Sequence, residues 1–438
     1  MSRLCTSQET TSIAADTAST NALPTEQHVW QEAAAATKPG WLSRTWRQLV
    51  FGRLGRIESG QLTLEDAMGV QHFGLDDVHQ AAAHLTVRDW RFYQRLVFGG
   101  SLSAAESFIK GEWDSPDLSR LLQLLARNRE AISSFDRWGS MLLQPLRFVL
   151  HWMRRNTLKG SRSNISAHYD LSNQFFSLML DSSMTYSSGY FANPSMTLTE
   201  AQFEKYDRIC RKLDIQPGDR VLEIGTGWGG FAEHAARHYK CHVTTTTISE
   251  QQYRYAEERF QRSGLGDRVI LLNQDYRHLQ GQFDKLVSIE MIEAVGERFL
   301  SQYFEQCSRL LKASGAMCFQ AITIPDHRYP AYRRSVDFIQ RYIFPGGFLP
   351  SFGSITESLG KATDFQLIYS EDFAAHYATT LEHWRSNFWK HIDQVRAMGF
   401  DQEWIRTWEY YLCYCIAGFI ERQVGVSQIV LAKPLARY

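Results

Sequence analysis

From about Tyr206 onward the chain alternates between short apolar, β-rich runs and stretches whose apolar residues recur at helical spacing. VLEIG leads into GGFAEHAARHYK, CHVTTTTI into SEQQYRYAEERFQRSG, and RVILLNQD into FDKLVSIEMIEAVG and a long helical stretch ending near Leu311. Strands separated by single helices imply right-handed crossovers, and so an α/β, doubly wound parallel sheet covered on both faces. Further strands are expected at AMCFQAITI, FQLIYSEDF and SQIVLAKP. The last is reached by a long helical excursion, which suits an antiparallel strand at the sheet edge.

Upstream the pattern differs. Residues 1–40 are rich in Ala, Ser and Thr with few large apolar side chains, so they are expected to remain a disordered tail. Residues 41–135 carry short apolar segments, Gly-punctuated turns and the amphipathic stretch SPDLSRLLQLLARN, whose Pro116 suits a first helical turn. This reads as a small mixed α/β domain. Residues 136–165 form a linker with six basic and no acidic residues between Arg137 and Arg162, interleaved with Trp138, Leu142, Phe148 and Trp152. A basic, aromatic, amphipathic element suits an anionic membrane surface, and equally a linker helix packed on a neighbour with its basic groups turned outward. Residues 166–438 make up the main α/β domain.

Composition narrows the function. Lys+Arg and Asp+Glu are 47 each, so no global field draws in nucleic acid, and the one basic stretch belongs to no recognisable nucleic-acid module. The N-terminus lacks the basic and apolar regions of a secretory signal, and no run approaches the roughly 18 apolar residues of a membrane span, so a cytoplasmic protein is expected. Seven scattered cysteines with no CxxC pair argue for reduced thiols rather than disulfides or a zinc ribbon. His234 and His238 share a helix face, and His376, His383 and His391 are spaced by seven and eight, but neither set completes a metal-ligand motif.

In VLEIGTGWGG, strand 221–224 runs into Gly225, Gly227 and Gly229, where missing Cβ atoms let the backbone turn and approach a ligand at the carboxyl end of the sheet. Dinucleotide sites favour GxGxxG with an acidic residue about twenty positions on. Here the spacing is GxGxG, Glu223 lies two positions before the first Gly, and the second strand ends without a carboxylate. This pattern favours S-adenosylmethionine over a dinucleotide, with Ser249, Gln252 and Tyr276 as candidates to hold the adenosine.

Four more segments sharpen the picture: HYDLSNQFFSLMLDSSMTYSSGYF from His168, SIEMIEAVG from Ser288, RYIFPGGFLPS from Arg341 and HYATTLEHW from His376. With VLEIGTGWGG they resemble the cyclopropane fatty acyl phospholipid synthases, which include the mycolic acid cyclopropane synthases; the likeness covers roughly residues 50–438. The resemblance implies a class I methyltransferase-like fold. It also implies methyl transfer from S-adenosylmethionine to the cis double bond of an unsaturated acyl chain in a membrane phospholipid. The π bond attacks the activated methyl group and leaves a carbocation; a base, bicarbonate in the family, then removes a proton. A cyclopropane is the expected product, with a methylene-branched or methylated unsaturated chain as the alternative.

Carried over by position, the resemblance places the cofactor on Tyr186 and Ser187, on Val221, Leu222, Glu223, Ile224, Gly225, Thr226, Gly227, Trp228 and Gly229, on Thr247, Ile248, Ser249 and Gln252, and on Tyr276 with Arg277. It places the bicarbonate on Ser188, Glu293, Gln320, Ile322 (through its backbone) and Tyr377. Two of these positions and one neighbour depart from the family: Ser188 replaces a Cys, Gln320 a His, and Ala294 the His after the Glu. Cys415 matches a Cys regarded as catalytic in the family, and physically reads equally as a buried apolar thiol. Tyr186, Tyr190, Phe344 and Tyr377 are candidates to steady a cation, by roughly 1–2 kcal/mol per ring. Two other classes stay open: a small-amine N-methyltransferase resembling the coclaurine enzymes, and a non-enzymatic lipid-binding protein. The oligomeric state is not legible, a homodimer being one option.

Overall fold

The computed structural model describes residues 40–75, 82–129 and 172–437. The tail up to residue 39, the basic aromatic stretch 137–162, Cys5 and His168 lie outside the described residues.

The main sheet has seven strands: β5 (Arg220–Ile224), β6 (His242–Thr247), β7 (Val269–Asn273), β8 (Phe283–Ile289), β9 (Leu311–Thr323), β10 (Gln366–Asp372) and β11 (Gly425–Ala432). Their order is β10-β11-β9-β8-β5-β6-β7. The pairs from β9 through β7 are parallel, whereas β11 runs antiparallel to both β9 and β10. The late strand is therefore antiparallel, as expected, but one place in from the edge, which β10 occupies. Burial explains the order: β11 is buried along almost its whole length, while β10 is largely exposed.

Alternation along β5 divides the core. Val221 points into a cluster with Ile209, Phe231, Ala256 and Val287 on one face; Leu222 joins Leu286, Tyr303, Phe304 and Ile429 on the other. The helix Leu198–Lys212 covers the first face and begins with a full capping box, Thr197 with Glu200. Its buried stripe contains two polar residues, Gln202 and Lys205.

The N-terminal segment builds a second sheet of β1 (Gln61–Asp66), β2 (Gly69–Gly74), β3 (Ala82–Val87) and β4 (Trp113–Asp114), ordered β2-β1-β3-β4. Leu62, Leu64 and Asp66 face inward, and Asp66 is held by Arg47 at 2.6 Å and by the Tyr93 hydroxyl at 2.5 Å. The helices Arg91–Ile109 and Leu118–Arg127 pack on Gln402–Ile420, a helix late in the chain, within one compact unit, Ala33–Tyr438. Arg406 joins them: its guanidinium donates to the carbonyls of Phe108 and Trp113 and to Asp114 at 2.7 Å.

Candidate active site

β5 and β8 end side by side, and the site is built where they stop. After Ile224 the chain turns through Gly225 at φ +101° and enters the short helix Gly230–His234. A Cβ on Gly225 would meet Met291 at 3.2 Å, and one on Gly230 would lie 2.6 Å from the Tyr206 hydroxyl. That hydroxyl is bonded to Thr185 at 2.5 Å, and Thr185 to Ser183 at 2.6 Å, so the glycine loop is pressed against the segment 183–188.

Most of the residues expected at the cofactor line one cavity of about 590 Å³: Tyr186, Ser187, Glu223, Ile224, Gly225, Thr226, Gly227, Trp228, Thr247, Ile248, Gln252, Tyr276 and Arg277. Four do not. Val221 and Leu222 lie wholly in the core, one on each face of the sheet, because strand alternation leaves only the end of β5 open to the cavity. Gly229 backs onto Phe260, and Ser249 caps the next helix through the Gln252 amide. These four support the wall and do not form it. Arg277 is paired with Asp275 at 2.7 Å, and Thr247 donates to Gln252 at 2.9 Å.

Glu223 is buried and accepts a 2.5 Å bond from Thr245. Burial pushes its pKa up to about 8 against that bond and the nearby Lys205. Lys205 is fully buried beneath the site and donates to the Ser187 hydroxyl at 2.6 Å. Burial brings it down to about 7, resisted by Glu290, Asp181 and Glu223. The sequence carried a signal for Lys205: a lysine on the apolar stripe of an amphipathic helix.

The expected anion ring is arranged differently. Three of its members converge on a residue that was not singled out, Glu290. Its Oε1 accepts from the Ser188 amide at 3.0 Å and from Gln320 at 2.7 Å; its Oε2 accepts from the Tyr377 hydroxyl at 2.6 Å. The Ser188 hydroxyl turns away and donates to the Gly189 carbonyl. The Ile322 amide, expected on the anion, donates instead to Glu293 at 2.6 Å. The residues present therefore do not form an open bicarbonate site, because a protein carboxylate already takes these donors. The available signal was a charged residue at the carboxyl end of a parallel strand, where such sheets act on ligands.

Two carboxylates so placed share their charge unequally. Glu293 accepts the Ile322 amide, and its Oε2 is buried without a hydrogen-bond partner among the described residues. Burial, reinforced by Glu290, pushes it up to about 8. Burial also raises Glu290, but the Tyr377 hydroxyl, Lys205, the Ser188 amide and Gln320 all favour its charged form. Of the two, Glu290 is therefore the one whose surroundings favour the charged form, and Glu293 the one whose surroundings favour the proton.

The same cavity is also lined by Phe344, Tyr411, Tyr414 and Cys415 and by Leu54, Leu62, Leu96, Trp113 and Leu121 of the N-terminal layer. Tyr186, Phe344 and Tyr377 line it; Tyr190 does not, being stacked on His376 at 4.5 Å with Arg208 over its ring. Burial holds the Cys415 thiol well above its ordinary pKa, so it stays protonated. No helix among the described residues is long and apolar enough to cross a membrane.

A glycine loop at the carboxyl end of a strand in a doubly wound sheet, opening on a cavity, is where such sheets bind a nucleotide-like cofactor; here the fold is that of a class I S-adenosylmethionine-dependent methyltransferase. The mycolic acid cyclopropane synthetase family model matches residues 156–429, and the chain belongs to this family of methyltransferases acting on fatty acyl chains. It is 39% identical over 358 residues to tuberculostearic acid methyltransferase UfaA1 of Mycobacterium tuberculosis, covering 78% of this chain and 81% of that one. To the cyclopropane-fatty-acyl-phospholipid synthase of Escherichia coli it is 35% identical over 361 residues, covering 81% and 88%. Among solved structures, the cyclopropane synthase MmaA2 from Mycobacterium tuberculosis superposes with a TM-score of 0.58 at 30% identity, over 62% of this chain and 98% of that one. Coclaurine N-methyltransferase superposes with 0.56 at 20% identity, over 75% of this chain and 98% of that one, a likeness of fold.

Proposed function

We propose that this enzyme transfers the methyl group of S-adenosylmethionine to the cis double bond of an unsaturated acyl chain carried by a membrane phospholipid. One observation carries the reading: a single cavity is lined both by the glycine loop and by apolar and aromatic side chains that include residues of the N-terminal layer, with Glu290 and Glu293 among its lining. An acyl chain needs such an apolar lining, and a small amine does not. S-adenosylmethionine supplies an electrophilic methyl group; residues 186–187, 223–228, 247, 248, 252 and 276–277 would hold and orient it. The cyclopropane synthase CmaA1, 31% identical, has been solved with S-adenosylhomocysteine and CTAB, which supports this assignment.

A cyclopropane is the first product to look for. Glu290, held where an anion ring was expected, favours a second reading: a fixed base can remove a different proton and leave a methylated or methylene-branched chain. The basic aromatic stretch 137–162 is the part of the chain proposed to meet the membrane surface, on the cytoplasmic side.

The test is incubation with vesicles of cis-unsaturated phospholipid and methyl-labelled S-adenosylmethionine, with the released fatty acids examined by mass spectrometry and NMR. An added CH2 with upfield ring protons establishes the cyclopropane; the same mass with vinyl or branched-methyl signals establishes the second reading. Absence of labelled lipid from protein that binds the donor refutes both.

A further inference from the structure

Glu290 stands on a backbone that does not suit it. Its φ is +47°, a conformation that glycine adopts freely and other residues pay to hold, and its amide is fixed by the Gln320 carbonyl at 2.8 Å. Retaining a carboxylate at such a position, on the wall of the cavity, suggests a task beyond packing. The hydrogen bonds narrow the task to one atom. A carboxylate has about four lone-pair directions. Among the described residues, Oε1 takes two donors, Ser188 and Gln320, whereas Oε2 takes only Tyr377. Oε2 is therefore the oxygen left with capacity to accept a proton. The same three bonds hold the carboxylate in place and weaken it as a nucleophile, which guards against its being captured as an ester by a cation.

We propose that the Glu290 carboxylate is the base that neutralises the methylated acyl cation, built into the chain where a bound anion would otherwise act. The inference rests on the acyl-methylating reading above. In the step, the π pair of the double bond forms a carbon–carbon bond to the methyl group. The carbon–sulfur pair stays on sulfur, S-adenosylhomocysteine is released, and the neighbouring acyl carbon becomes cationic. Oε2 of Glu290 takes one proton, and the freed C–H pair closes a ring or forms a double bond. The resulting carboxylic acid returns its proton to water. No oxidant or reductant enters. Lys205, buried nearby, is a positioning residue that favours the charged form of this carboxylate, and Glu290 in turn favours the protonated form of Glu293.

The experiment follows labelled-methyl transfer from S-adenosylmethionine to dioleoyl phosphatidylglycerol vesicles by the full-length enzyme, Glu290→Gln and Glu290→Gly. Reactions run in carbon-dioxide-depleted buffer, with and without added bicarbonate or formate; donor binding and thermal unfolding are measured in parallel. Glu290→Gly is expected to fold, since its backbone prefers glycine. Expected are a parent rate indifferent to bicarbonate, a loss of roughly 100-fold or more in both variants with donor binding kept, and partial recovery of Glu290→Gly alone by either anion. A parent rate that collapses without bicarbonate and returns with it would overturn the proposal. So would variants that keep near-parental turnover, or a Glu290→Gly variant that neither anion revives. Absence of labelled lipid from the parent in every buffer, with the donor bound, would instead strike down the acyl reading beneath it.

Discussion

Replacing Arg406 by Met tests whether the N-terminal layer is structurally part of the catalytic unit. The guanidinium is 4% exposed and lies 4.0 Å over the Phe108 ring. It donates across nearly 300 positions of sequence to two carbonyls and to Asp114. Burial pulls its pKa down despite Asp114, so the pair itself yields little net stability. Removing one partner is another matter, because two carbonyls lose their donor in a dry interface; breaking a buried pair costs about 3–5 kcal/mol. Asp114 keeps Arg88 at 2.7 Å on its other oxygen, which points to the lower end, about 3 kcal/mol. At about 2.1 cal/mol/K per residue, 1 kcal/mol is worth about 1 °C in a unit of this size, so the melting midpoint should fall by about 3 °C. Urea unfolding of Arg406→Met, Asp114→Asn and the double variant, followed by circular dichroism and tryptophan fluorescence, gives the cost and the coupling. A single transition displaced by about 3 kcal/mol is expected. A shift under 1 kcal/mol, or two transitions of which only one moves, would falsify the reasoning and make the N-terminal layer an independent domain.

Three further outcomes are expected. Gly230→Ala drives a Cβ to 2.6 Å from the Tyr206 hydroxyl and disturbs its bond to Thr185, so calorimetry should find S-adenosylmethionine binding weakened and unfolding easier by about 1–3 kcal/mol; parental binding would count against this close approach. The Glu293 pKa is raised from 4.5 to about 8, so its stabilising contribution is complete below about pH 4.5 and is lost as pH rises through about 8. Glu293→Gln should accordingly flatten the stability profile between pH 5 and 8.5 in urea titrations, and an unchanged slope would show Glu293 to be ionised in the fold. Cys415→Ser should retain methyl transfer within a few-fold, because a thiol held protonated by burial is no nucleophile; loss of turnover with donor binding intact would restore it as a catalytic residue.

Much of the molecule was legible before the structure. Period-2 and helical runs placed β5 to β9 and their helices, because burial on a two-faced parallel sheet writes itself into local patterning. The glycine loop, Gln252 and Tyr276 were read from strand ends, and Thr247 and Arg277 from the family resemblance; all of them line one cavity. What was misplaced depended on side-chain direction: Val221 and Leu222 belong to the right strand but face its two cores, and the Ser188 hydroxyl points away from the site its backbone amide serves.

Sequence alone thus determined the class of sheet, the cofactor loop and the family, since each rests on short-range order along the chain. The meeting of Ser188, Gln320 and Tyr377 on Glu290 joins residues 30 to 102 positions apart. The burial of Lys205 beneath them, the lodging of β11 inside β10, and the grip of Arg406 on the N-terminal layer are of the same kind. These are long-range contacts, fixed by how the sheet closes and which faces pack. The tertiary structure alone decided them, because hydrogen-bond partners and charge states are set by neighbours in space, and no local pattern encodes those.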